Sequence, residues 1–237
     1  MPAPLTVDRT RHDPDGLSDF CDELFASLPR SDQRKWGEMY VRGLLSVPGR
    51  KSIRRISDQI VGRRVDQCLQ QFVNQSPWRW DGVRNALAAR ASAIRPRAWI
   101  IDEAVFPKNG RSSVGVARQY ATSAGRILNC QLGLAVIMAN GADRCVVNWR
   151  LALPRSWDDD PERRARARVP GPERHRPLWR HVFDAVNEMT DEWSLRPAPV
   201  VWDSVGHEVR PLLRGLAGRG LPYLVRVSEH LPVLQTR

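Results

Sequence analysis

The sequence has no run of 18 apolar residues, so it offers no candidate for a membrane-spanning helix. Its first residues, "MPAPLTVDRTRHDPDGL", lack the basic-then-apolar plan of a secretory signal, which makes the cytoplasm the expected location. Only four cysteines occur (Cys21, Cys68, Cys130 and Cys145), with no CxxC or Cys/His spacing, which argues against a zinc site or a disulfide framework and for reduced core thiols. No GxGxxG, P-loop or GxSxG motif is present, and no internal repeat stands out. His175 and His181 frame a helix start without a partnering cysteine or carboxylate pattern and read as solvent-exposed. Lysine is scarce as well, at positions 35, 51 and 108 only.

What the chain does have is arginine. It supplies nearly all of the 37 basic residues, which outnumber 26 acidic ones and leave a formal net charge of +11. Biased codon usage could favour arginine over lysine, but it does not account for the excess positive charge, which points to a polyanionic partner. At 237 residues, 42% of them hydrophobic, the chain can form one large domain or a domain with a helical appendage.

Residues 1–16 are polar and read as a loose tail. Residues 17–95 have helical periodicity throughout. "LSDFCDELFASL" places Leu17, Phe20, Leu24, Phe25 and Leu28 on one face, and Ser31 or Asp32 is placed to cap a second helix carrying Trp36, Met39, Tyr40 and Leu44. A third helix is expected from Ser57 or Asp58 onward, and "WDGVRNALAARASA" reads as a fourth. Between the second and third lies the basic loop "PGRKSIRRIS", where Arg50, Lys51, Arg54 and Arg55 could meet phosphates at the start of the next helix. Of the nine tryptophans most fall at core positions, and Trp78 or Trp80 could stack on bases.

Past Pro96 the pattern changes. "RAWIID", "SVGVARQY", "CQLGLAVIMA" and "RCVVNWRLALP" are β-rich segments, the last two joined by the hairpin signal "NGAD". A charged excursion, "PRSWDDDPERRARARVPGPERHRP", reads as a solvent-exposed loop or short helix. An amphipathic helix follows, with Trp179, Val182, Phe183, Val186 and Met189 at helical spacing. Then come a strand ending in Asp203, a helix with Pro211 in its first turn, and a last strand, "PYLVRVS". This order predicts an α/β fold over 96–237: a ribonuclease-H-like mixed sheet preceded by an all-helical region. In that arrangement the first strand, ending at Asp102, lies beside the strand ending at Asp203. Two adjacent carboxylates repel unless a cation lies between them, and oxygen ligands suit Mg²⁺ or Mn²⁺.

The stretch "WIIDEAVFPKNGRSSVGVARQYATSAGRILNCQLGLAVIMA" resembles the first catalytic block of bacterial insertion-sequence transposases of the DDE endonuclease superfamily. "WRLALPRSWDDDPERRARARVP" resembles the family's next block, and the similarity extends over about residues 20–228. The resemblance implies metal-dependent DNA cutting and joining, with Asp102 as first acid and Asp203 as second. The family's motif around the second acid reads "WDSVGHEV" here, keeping the aspartate and Gly206 but placing His207 and Glu208 where tyrosine and glycine are usual. The family's third acid is a glutamate on a helix beyond the last strand, which this chain, ending at Arg237, does not reach. Glu229, the acid after the final strand, is a weak candidate for the third metal ligand. The expectation is an incomplete transposase with cleavage severely reduced or absent.

Lys108, Arg111 and Arg118 would lie near the scissile phosphate, and Glu103 would be a bystander of Asp102. The implied partners are double-stranded DNA and, in a homodimer, a second copy of the chain, with no membrane. Two alternatives stand beside this reading: a domesticated derivative acting as a DNA-binding regulator, and a repurposed enzyme using the old cleft with His207 as acid or base.

Overall fold

The computed structural model describes residues 14–61, 66–203 and 208–227. The chain divides into two compact units, residues 1–87 and 88–237, and the division falls inside a helix. Of the expectations above, those for Gly206, His207, Glu229 and the first thirteen residues lie outside the described residues.

The first unit is helical: α1 (Pro14–Phe25), α2 (Ser31–Ser46), α3 (Ile53–Ile56), a π turn (Ser57–Val61), α4 (Asp66–Asn74) and the start of α5 (Asp81–Ala91). Leu24, Phe25 and Leu28 are buried with Phe72, and Leu17, Phe20 and Trp78 pack against them. The second helix buries small positions, Gly37 and Gly43, rather than its leucines, and Leu44 is 39% exposed. A methyl group added at Gly43 would overlap the Ile56 side chain, so this glycine is what lets α3 approach α2.

The caps differ from expectation. Neither Ser31 nor Asp32 caps α2; the Arg30 backbone holds that position, and Asp32 instead receives the Arg30 guanidinium. The basic segment 50–55 is not loop throughout. Ser52 accepts the Arg55 N–H and caps a helical turn that carries Arg54 and Arg55, one turn earlier than Ser57 or Asp58 would allow. Trp78 stacks on Phe72 at 5.3 Å, while Trp80 is half exposed with the Arg84 guanidinium over its ring. All four cysteines are free; Cys21 and Cys130 are buried, but Cys68 is exposed.

The second unit is built on a six-stranded mixed sheet in the order β2-β3-β1-β5-β6, with β4 also paired to β3. Its strands are β1 (Ala98–Pro107), β2 (Ala117–Ala121), β3 (Arg126–Asn140), β4 (Asp143–Ala152), β5 (Val200–Asp203) and β6 (Tyr223–Arg226). The strands β1 to β4 pair antiparallel, and β5 and β6 join parallel to β1. Asn140 and Asp143 face each other across the Gly141-Ala142 turn, where Gly141 has φ +60°. Helices preceding a mixed α/β sheet with this strand order make the expected ribonuclease-H-like fold.

Side-chain alternation sets the two faces of the sheet. Trp99, Ile101, Leu134, Val136, Met138, Val200 and Trp202 form one buried layer with Val182, Val186 and Met189 of α8 (Leu178–Asn187) and the π turn after it. Leu212 and Leu216 of α9 (Arg210–Gly218), which has Pro211 in its first turn, complete that layer. The opposite face carries Phe106, Tyr120, Ile127, Trp149 and Leu151, all more than 39% exposed.

The charged excursion takes the short-helix alternative rather than the open loop. It folds into α6 (Arg155–Asp158) and α7 (Pro161–Arg166) around Trp157, which is fully buried with Val116 and Leu153. Asp160 caps α7 through the Arg163 N–H, and Arg164 is buried, bonded to Asp158 and to the carbonyls of Pro170 and Glu173. His181, expected at the surface, is only 8% exposed, because its position on α8 falls on the apolar stripe that faces the sheet.

Candidate metal centre and cationic surface

Asp102 does not end its strand. The fifteen residues of β3 keep pairing with β1 as far as Pro107 opposite Cys130, so Asp102 stands in the middle of β1. It is nonetheless at the end of the parallel ladder, because β5 pairs with β1 only through Ile101 opposite Trp202. The next residue on each strand is an aspartate, Asp102 on β1 and Asp203 on β5. In a parallel pair such residues are register neighbours, about 4.8 Å apart across the strands and projecting from the same face. Both are exposed, and both line a cleft of about 150 Å³ with Glu103, Thr122, Ser123 and Leu178.

The two carboxylates have different surroundings. Asp102 Oδ1 accepts the Glu103 backbone N–H at 2.9 Å. Asp203 is gripped by a guanidinium: Arg226 Nε donates to Oδ1 at 2.8 Å, and its Nη2 stands 2.6 Å from Oδ2. Arg226 is the register partner of Asp203 on β6. Arg226 is not among the residues predicted from sequence, because alternation within "PYLVRVS" does not give its register against "PVVWD". Glu103, read as a bystander, lies on the other face of β1, and both of its carboxylate oxygens are buried with no hydrogen-bond partner.

These residues fit a hydrated divalent cation. Mg²⁺ ordinarily keeps several waters and takes only one or two carboxylates, which Asp102 and Asp203 supply. The orphaned Glu103 oxygens are buried on the opposite face of β1 and are not among the donors facing such an ion. Among the described residues no group of three or more His, Cys, Asp or Glu side chains is placed to hold a metal ion, so the described donor set stops at two.

The loop after β1 is held by amides from β3. Asn129 Nδ2 donates to the carbonyls of Lys108 and Gly110, and Gln131 Nε2 donates to that of Val114. The "NCQ" of β3 thus staples "KNGRSSV" in place. Lys108 and Arg111 are exposed on this loop, and Arg118 is exposed on β2. A second cleft opens where the loop meets the excursion, lined by Arg111, Ser112, Arg163, Arg166 and Ala167 and by no carboxylate. Arg163 is fixed there by bonds to the carbonyls of Arg111 and Val116 and by the Trp157 ring, 3.9 Å from its guanidinium. Neither Arg163 nor Arg166 was singled out from sequence; Trp157 and the helix-starting "DP" at 160–161 were the available signals. In the helical unit Arg50, Lys51, Arg54 and Arg55 are all exposed, and the Lys51 ammonium also bonds the Val47 carbonyl.

A family model described as DDE superfamily endonuclease matches residues 23–236. The chain belongs to the DDE superfamily endonucleases. No curated protein matches it. DDE endonucleases are a transposase-type nuclease family that generally uses divalent metal, which agrees with a carboxylate pair at the carboxyl end of the parallel ladder. No helix among the described residues is long and apolar enough to cross a membrane.

Proposed function

We propose that this DDE endonuclease chain is a DNA-binding, transposase-type protein in which Asp102 and Asp203 hold a divalent cation, Mg²⁺ or Mn²⁺, against a bound phosphodiester. The observation that carries this reading is the register of β1 and β5, which makes the two aspartates neighbours on one face although 101 residues separate them in sequence. A bound ion would supply the charge that activates water and steadies the leaving oxygen. The chain's own residues orient the phosphate and hold the ion. Lys108, Arg111 and Arg118 serve the core, joined by Arg163 and Arg166, and Arg50, Lys51, Arg54 and Arg55 serve the helical unit.

Strand cleavage is expected to be severely reduced. Among the described residues two carboxylates are placed to anchor an ion, and one of the two is already paired with Arg226. That same pairing favours a second reading, a derivative that keeps DNA binding and acts as a regulator. Gel-shift and plasmid-nicking assays on the full chain test the first proposal. Binding at low salt, with supercoiled plasmid left intact in Mg²⁺, is the expected result. Nicking in Mg²⁺ or Mn²⁺ that disappears in Asp102→Ala would show a complete catalytic site instead, and absence of low-salt binding would remove DNA as the partner. Binding to the sequence upstream of its own gene, without cleavage, is what the regulator reading predicts.

A further inference from the structure

We propose that Arg226 is a resident counter-cation of the aspartate pair, competing with the divalent ion for Asp203 and so setting how tightly the site takes metal. This rests on the reading of Asp102 and Asp203 as the metal ligands. Three observations carry it. The guanidinium engages both oxygens of Asp203 in a two-pronged grip, with separations of 2.8 and 2.6 Å, the geometry in which arginine binds a carboxylate most specifically. Its position is fixed by the sheet, because β6 pairs with β5 from Val200 opposite Tyr223 through Asp203 opposite Arg226. And it brings a positive charge to one of two neighbouring carboxylates that would otherwise repel each other.

The pairing makes the two ligands unequal. Asp102 gives up one oxygen lone pair to a backbone N–H, whereas Asp203 has both oxygens occupied by a cation. A divalent ion entering the cleft meets Asp102 directly but must share or displace the arginine fork at Asp203. Side-chain exposures of 69% for Arg226 and 58% for Asp203 make the fork an exposed, screened pair, a competitor rather than a fixed block.

The test is Mn²⁺ binding to the full-length chain, followed by the electron paramagnetic resonance signal of free Mn²⁺, with circular dichroism to verify folding. Arg226→Met should tighten Mn²⁺ binding about 2- to 5-fold, the range expected for releasing an exposed ion pair. Arg226→Gln, polar and similar in reach, should act in the same direction, and Arg226→Lys should fall between Met and wild type. In an Asp203→Asn background, where binding is already lost or severely weakened, Arg226→Met should restore none of it. Equal binding in wild type and in folded Arg226→Met or Arg226→Gln would overturn the proposal and leave the aspartate site standing. Weaker binding would overturn it in favour of Arg226 as a residue that positions Asp203 for the metal. If neither wild type nor any variant binds Mn²⁺, the two-aspartate site falls, and this inference with it.

Discussion

His181 shows how one buried group ties the core to pH. Burial against the sheet, and then the charge of Arg150, lowers its pKa from the usual 6.5 to about 4. Asp184 pulls the other way, while Arg176 and His175 add to the lowering. The folded pKa is thus depressed below the unfolded one, and between those values the unfolded chain binds the proton that the folded chain refuses. Stability is therefore complete above pH 6.5 and falls as the pH drops toward 4, by at most about 3 kcal/mol. Urea unfolding at a series of pH values should show this slope, and His181→Leu should flatten it; an unchanged slope in that variant would place the acid sensitivity elsewhere. The burial of this histidine was readable, since it stands three residues after Leu178 and four before Ala185, on the same stripe of α8. Its polarity outweighed its position in the sequence reading. The Arg226–Asp203 pairing is less legible, because it lies in a strand register that no local pattern states.

At the scale of elements, what was local in origin was legible. The hairpin at Asn140–Asp143, the apolar face of α8 and the proline in the first turn of α9 all follow from short-range chemistry, and each is where the sequence puts it. What depended on distant partners was not. β1 outruns Asp102 because β3 supplies paired backbone as far as Pro107, and β2 shortens to Ala117–Ala121 because Val116 turns inward to meet Trp157. The excursion shows the same limit: three acids and an arginine run look solvated, yet a single tryptophan gives them a core. Its indole Nε1 donates to the Val116 carbonyl at 2.9 Å, and its ring carries Arg163. Trp157→Ala should cost about 3–5 kcal/mol where α6 and α7 pack, the range for losing a large buried aromatic. Brief trypsin digestion reads this directly, since the arginines of residues 163–168 should become rapidly cleaved. A digestion pattern identical to wild type would mean that Trp157 does not hold the excursion together.

For the whole molecule, the excess charge and the aspartate pair call for separate tests. The excess of positive charge, +11 over the chain, should give DNA affinity that falls steeply with salt. If Arg54 and Arg55 each neutralise a phosphate, Arg54→Ala with Arg55→Ala should lower the slope of log affinity against log salt by about 1.8. A slope equal to that of wild type would remove the helical unit's basic turn from the interface. The proposed metal site, by contrast, would rest on two side chains brought together by a sheet, and its most direct measurement is calorimetric titration of Mn²⁺ into the wild-type chain, Asp102→Asn and Asp203→Asn. One site is expected in the wild type, lost or severely weakened in each variant. Binding that survives intact in either variant, or no binding in the wild type, would contradict that expectation.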